Sequence, residues 1–285
     1  MLIAALLFGC AGFGAPKIEA TPQPTVPEGT PVADSVPVVT PQSVTLEQPK
    51  ATPLTPPPPP TPTPTPTPQP PLTGITIGLD PGHQARANNA TEPIGPDRSE
   101  EKSKCSGGTR GIASNVYEYQ VNLDVAKKLK ALLEQAGATV VMTRTENDVN
   151  LSNRERAEFM NEHEVDLAVR LHCNGTDDTT VRGAFMLVPA KDCTETFSEN
   201  VRAATAIIES YCAVTGIGMR KHGGITYRTD QTGFNWCKRP IVCIEMGHMS
   251  NETEDLLLTN AAFQDKMALG IFEGILTYFS SEATE

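Results

Sequence analysis

The chain is expected to fold as an α/β domain, a mostly parallel sheet of about five or six strands with helices on both faces, behind a disordered linker. Three observations in its 285 residues lead there. Prolines crowd one end, with 20 of the 25 at or before Pro71. Beyond them, short apolar runs alternate with helical periodicities, the pattern of strands feeding crossover helices. The remainder from Gly74, about 210 residues, suits a single core.

Residues 1–14 are apolar and of export-signal length, too short to span a bilayer. Their ending, Leu7-Phe8-Gly9-Cys10, resembles the lipobox of bacterial lipoproteins, which implies a lipid on Cys10; a plain signal peptide or an uncleaved anchor is the alternative. Residues 15–73 are Pro, Thr, Val and Gln with almost no aromatic side chain, so they bury too little to offset the entropy of ordering and read as a linker. Residues 74–285 form the domain.

Before Gly74, two Lys against four Asp and Glu leave −2 of the total charge of −11, and so −9 for the domain. A domain this acidic, with no Lys/Arg cluster, has no stripe with which to track phosphates, and nucleic acid is excluded as a partner. Apart from Cys10 there are six cysteines: Cys105, Cys173, Cys193, Cys212, Cys237 and Cys243. No C-x-x-C spacing occurs, and some of them are expected to be reduced and buried.

Ile75 to Asp80 is a strand pattern that stops at Pro81-Gly82; further strands are expected at 139–143, 167–171, 183–188 and 241–244. Val116 to Ala136 carries Val125, Leu129, Leu132 and Ala136 at helical spacing and closes at Gly137. Ser152 with Glu155 reads as a capping box opening a helix to Glu162. Residues 198–214 and 261–279 supply two more helices.

His83 follows the first strand, His172 the third and Glu245 the fifth. Open α/β sheets bind ligands at the carboxyl ends of their strands, so three reactive residues at three such ends form a constellation. Two histidines and a carboxylate are a recurring zinc set in hydrolases, with a position left for water. Glu118 is the candidate carboxylate. With Asn115 as N-cap it could instead be the third residue of a capping box. It lies, however, on the stripe through Asn122, Val125 and Leu129, where a buried charge needs a partner. Cys173, next to His172 on a strand, faces the other way and reads as packing, as does Cys243. Glu245, before Met246-Gly247, suggests a carboxylate on the cleft floor that acts as general base for the attacking water and then protonates the leaving amine.

Four ordered segments, Leu79-Asp-Pro-Gly-His83, Glu118-Tyr-Gln-Val-Asn-Leu123, Arg170-Leu-His-Cys-Asn174 and Glu245-Met-Gly-His-Met-Ser-Asn251, resemble the zinc-dependent N-acetylmuramoyl-L-alanine amidases of the sporulation and cell-division type. The resemblance covers nearly all of 74–285. It implies His83, Glu118 and His172 as Zn2+ ligands, Glu245 as the catalytic carboxylate, and peptidoglycan as the substrate of an exported enzyme at the cell surface, held to the membrane if Cys10 is lipidated. An activator protein stays unknown. Residues 84–111 and 230–236 look like longer loops found in one branch of the family. His248 is a departure, where an aromatic or other bulky residue is usual. His222 is read as a loop position with substrate contact as the alternative, His163 as an exposed helix end, and Trp236 as either cleft wall or packing. A zinc peptidase or deacetylase acting on wall fragments, or an inactive surface binding protein of this fold, are the competing readings.

Overall fold

The computed structural model describes residues 69–220 and 223–282. The expected export segment, Cys10, most of the expected linker and His222 therefore lie outside the described residues. In chain order the elements are β1 (Thr76–Pro81), β2 (Asn88–Pro93), β3 (Glu101–Cys105), α1 (Glu118–Gln135), β4 (Thr139–Met142), α2 (Asn153–Glu162), β5 (Leu167–Asn174), β6 (Phe185–Pro189), α3 (Phe197–Thr215), β7 (Ile225–Arg228), α4 (Thr232–Asn235), β8 (Ile241–His248), α5 (Glu252–Leu258) and α6 (Ala261–Glu282).

Six strands make one sheet in the order β4-β1-β5-β8-β6-β7. The β4, β1, β5 and β8 neighbours pair in parallel, β6 runs antiparallel to β8, and β7 is parallel to β6. The mostly parallel sheet expected from the sequence is what forms. Two features were not foreseen. The four-residue edge strand β7 exposes Thr226 and Tyr227 and so carries little apolar signal. The β2–β3 hairpin sits inside the segment read as a long loop, because its residues are mostly charged or amidic and show no alternation.

Strand alternation divides the core in two. Ile77 and Leu79 of β1, Leu167, Val169 and Leu171 of β5, and Val242, Ile244 and Met246 of β8 pack with α1, α3 and α6 on one face. Ala168 of β5, Phe185 and Leu187 of β6, and Ile241 and Cys243 of β8 pack with α2 and α4 on the other. Helices α3 and α6 approach closely through Gly270 and Gly274. A Cβ on Gly274 would lie 2.4 Å from the Ile207 Cα, and one on Gly270 2.8 Å from that of Tyr211.

The capping box at α2 forms as expected: Glu155 N donates to Ser152 Oγ at 3.1 Å, and Ser152 N to Glu155 Oε2 at 2.7 Å. At α1 the arrangement differs from the capping-box alternative. Asn115 stands outside the helix with φ 62°, and Tyr117 is the N-cap. It is Gln120 that reaches back, accepting from Tyr117 N at 3.1 Å. Glu118, the first helical residue, is thereby left for other work.

Candidate active site

The end of β1, the start of α1 and the end of β5 bring His83, Glu118 and His172 together, with one ligand atom of each within 4.8 Å of the others. His83 Nε2 is 3.3 Å from Glu118 Oε1, and His172 Nδ1 is 3.1 Å from the same oxygen. Glu118 is almost fully buried. Its Oε2 accepts from Thr109 N at 2.8 Å, while Oε1 accepts from Cys173 N at 3.1 Å and Asn122 Nδ2 at 3.2 Å. His83 Nδ1 faces the Ser106 carbonyl at 2.9 Å, so it carries the proton and leaves Nε2 for the site. Ser106 follows the hairpin, which therefore orients a site residue; no periodicity marks such a contact.

Burial would raise Glu118, but the two histidines hold it below the usual carboxylate range. Burial also works against a charge on His83, yet the Glu118 carboxylate prevails and lifts it to about 10. His172 is pulled down to about 4 by burial and by the charge of His83, against the pull of its bond to Glu118. His172 Nε2 is buried without a hydrogen-bond partner. An orphaned imidazole nitrogen beside a second histidine and an ionised carboxylate fits a metal ion, and the donor set is the nitrogen-and-oxygen kind that hydrolytic metals take.

Beneath these residues lies a buried cluster that the sequence analysis did not single out. Asp80 Oδ1 accepts from Arg156 Nη1 at 2.7 Å and from Thr143 Oγ1 at 2.7 Å, and Oδ2 from Arg170 Nε at 2.8 Å. Arg156 of this cluster and the neighbouring Arg144 also reach three main-chain oxygens of the His83 turn. Arg144 Nε donates to Pro81 O at 2.8 Å and its Nη2 to Gly82 O at 3.0 Å. Arg156 donates to Pro81 O at 3.0 Å and His83 O at 3.1 Å. Guanidinium groups thus hold three successive carbonyls of a turn in which His83 has φ 60°. At Gly82 the backbone passes under His172: a Cβ there would lie 2.2 Å from His172 Nε2.

Burial alone would raise Asp80; Arg156, Arg170 and Thr143 hold it far below its ordinary value of 3.8. A depressed carboxylate contributes stability that is present above its unfolded value and lost as pH falls towards its folded one. Asp80→Ala strands two buried guanidinium groups and is expected to cost about 3–5 kcal/mol at neutral pH. Urea unfolding checks this, and the gap from wild type should narrow in strong acid, where the native chain loses the same interaction. An unchanged midpoint at neutral pH would refute it.

Glu245 lies on β8 directly opposite His172 on β5, and Phe185 on β6 lies opposite Glu245. The three share the α2 and α4 face of the sheet. Glu245 Oε2 is buried and has no hydrogen-bond partner. Burial, reinforced by the charge of Glu118, raises its carboxyl to about 8. A cleft of about 440 Å³ opens beside it, lined by Asn174, Phe185, Arg220, Arg228 and Gln231 among others.

Cys173, as expected from alternation, and Cys243, as expected from its place inside an apolar strand, are buried in the two cores, and none of the six cysteines from Cys105 onward is in a disulfide. His248 is fully buried, 3.2 Å from Asn174 Nδ2 through its Nε2. Trp236 packs: its Nε1 donates to Pro93 O at 2.8 Å, and the Arg154 guanidinium lies 3.9 Å above its ring. His163 caps the C-terminus of α2.

A family model described as N-acetylmuramoyl-L-alanine amidase matches residues 77–277. The germination-specific N-acetylmuramoyl-L-alanine amidase of Bacillus subtilis is 30% identical over 230 residues, covering 74% of this chain and 83% of that protein. The N-acetylmuramoyl-L-alanine amidase LytC of the same organism is 27% identical over 209 residues, and the chain spans only 36% of its length. Among solved structures, the N-acetylmuramyl-L-alanine amidase Ami1 of Mycobacterium smegmatis superimposes with a TM-score of 0.68 at 25% identity, covering 74% of this chain and 99% of Ami1. The matched span begins on β1 and ends within α6, taking in His83, Glu118, His172 and Glu245. This chain therefore belongs to the N-acetylmuramoyl-L-alanine amidase family, hydrolases of peptidoglycan.

Proposed function

We propose that the domain hydrolyses the amide between N-acetylmuramic acid and L-alanine, with zinc held by His83, Glu118 and His172 and with Glu245 as its acid and base. When bound, zinc supplies Lewis acidity that polarises the amide carbonyl and eases deprotonation of a water molecule. Glu118 and the two histidines would hold the metal, with Ser106 fixing the His83 ring and Thr109 and Asn122 the Glu118 carboxylate. Glu245 takes the proton of the attacking water at Oε2 and returns it to the departing alanine nitrogen, since an amide nitrogen leaves poorly unless protonated. The observation that carries this reading is the carboxyl of Glu245, unpaired and raised to about 8, in the sheet position next to His172. A buried carboxyl with no hydrogen-bond partner is free to take a proton and to give it up.

Mass spectrometry of peptidoglycan digests, with and without a chelator, tests the reaction. An amidase frees L-alanine amino termini and lactyl carboxyls; cuts within the stem peptide, or release of acetate, would overturn it.

The organisation we propose around the domain is an export segment at 1–14, a linker at 15–73 and the catalytic domain at 74–285, with the enzyme acting outside the cytoplasm. A Pro-rich chain extends by about 3.1 Å per residue, so a linker of this composition would reach on the order of 100 Å or more. A lipid on Cys10 would then let the domain work in the wall and not at the lipid surface. Fatty-acid labelling of cells should mark the wild type and spare Cys10→Ser; equal label on both would refute the tether.

A further inference from the structure

The cleft beside Glu245 carries two cations in a domain whose net charge is −9. They are not equivalent. Arg228 is held by Asp230 through two parallel bonds of 2.8 Å, and Lys102 adds a third cationic contact to the same carboxylate at 2.6 Å. The donor fork of Arg228 is therefore already taken by a carboxylate within the protein. Arg220 is exposed, and no carboxylate pairs with it among the described residues. Its guanidinium lies 4.8 Å from the centre of the Phe185 ring, an arrangement that orients the planar group without neutralising it. Its backbone is fixed as well: Arg220 N donates to Ala184 O at 2.9 Å, and Ala184 N to Gly218 O at 2.9 Å, so the segment lies against the start of β6.

The sheet places this cation relative to the chemistry. His172, Glu245 and Phe185 are register partners on three adjacent strands. With strands about 4.8 Å apart, Phe185 lies on the order of 10 Å from His172. An extended peptide advances about 3.4 Å per residue, so a ligand with its scissile amide at His172 presents its second or third residue near Phe185 and Arg220.

We propose that Arg220, seated on Phe185, is a specificity subsite for a free carboxylate on the stem peptide, two or three residues beyond the scissile amide. The proposal rests on the amidase reading and names the side of the substrate that occupies this cleft. Once its lactyl group is in amide linkage, the muramic acid side offers hydroxyl and acetamide groups and no anion. The negative charges of such a substrate are carboxylates of the peptide. A guanidinium fork is the group that pairs with a carboxylate in two parallel bonds, and a carboxamide in the same place offers one acceptor and no charge.

The test uses the zinc-loaded full chain and two synthetic N-acetylmuramoyl peptides, one with its stem carboxylates free and one with them converted to carboxamides. Wild type is expected to favour the free acid through KM. Arg220→Gln should raise KM for the acid by about tenfold or more, with a much smaller effect on kcat and on the carboxamide, and Arg220→Lys should restore part of the preference. Equal cleavage of the two substrates by wild type, or an equal KM change on both in Arg220→Gln, would overturn the subsite while leaving the amidase reading intact. Failure of wild type to cleave either substrate would overturn the amidase reading, and the subsite with it.

Discussion

Glu245→Gln is expected to keep its fold and its zinc yet lose about 10²- to 10⁴-fold in turnover, the usual worth of a positioned acid and base. The substitution changes one oxygen to an amide and leaves the strand, its ladder and the three proposed ligands in place. A metal alone lowers the pKa of water towards about 7, so some nucleophile survives without the carboxylate. Delivery of a proton to the alanine nitrogen does not. Zinc content and muropeptide release under saturating metal decide the matter. Loss of zinc would make Glu245 a ligand; near-normal turnover with zinc retained would place the base elsewhere. A second readout comes from the metal-free chain. Burial and Glu118 raise the Glu245 carboxyl from its ordinary 4.5 to about 8, so its favourable share of stability is complete below the ordinary value and fades as pH rises through the raised one. The Gln variant has no such proton to lose. In chelator its stability should improve relative to wild type as pH rises across that window, which thermal unfolding at several pH values would show.

His83→Ala and His172→Ala should each abolish zinc retention and activity together. Substituting groups that merely support a ligand commonly costs about 10- to 100-fold in metal affinity, so removing a ligand should exceed that. Glu118→Gln is the more discriminating variant. The amide keeps one oxygen for Cys173 N but loses the charge that balances the metal and the two imidazoles, so affinity should fall while the helix stays. Metal titration followed by competition with a chromogenic chelator measures each variant. Full zinc occupancy and activity in Glu118→Gln would mean that this carboxylate serves the fold alone.

The candidate site was legible because its residues interrupt strong patterns. His172 and Glu245 end apolar strands, His83 follows a strand cut off by Pro81-Gly82, and Glu118 is a charge on an apolar helical stripe. Each departs from a period, and a departure is visible in one dimension. The strands and long helices were legible for the same reason, although β5 and β8 run on through His172 and Glu245, past the ends of their apolar runs. What stayed hidden has no period. The arginines that grip the carbonyls of residues 81–83 come from a loop and from a polar helix. The hairpin that leads to Ser106 beside His83 is written in polar residues, and Arg220, between α3 and β7, gains its setting from a ring on β6. Such contacts depend on distances across the fold.

The sheet that supports the cleft also measures it. Glu245 faces His172 because Ala168 to Leu171 pair one for one with Ile241 to Ile244, and that ladder is held by two cores on opposite faces. A slip of one residue would turn Glu245 towards the α1, α3 and α6 side and set an isoleucine or methionine beside the histidine. The same slip would expose the hydrophobic face of the whole strand, so the alignment of the proposed acid, metal ligands and anion subsite is graduated in strand spacings and guarded by the hydrophobic core. The spacing between Glu245 and His172 behaves like a mark engraved on a ruler: it is set by the strand ladder and not by the loops around the cleft.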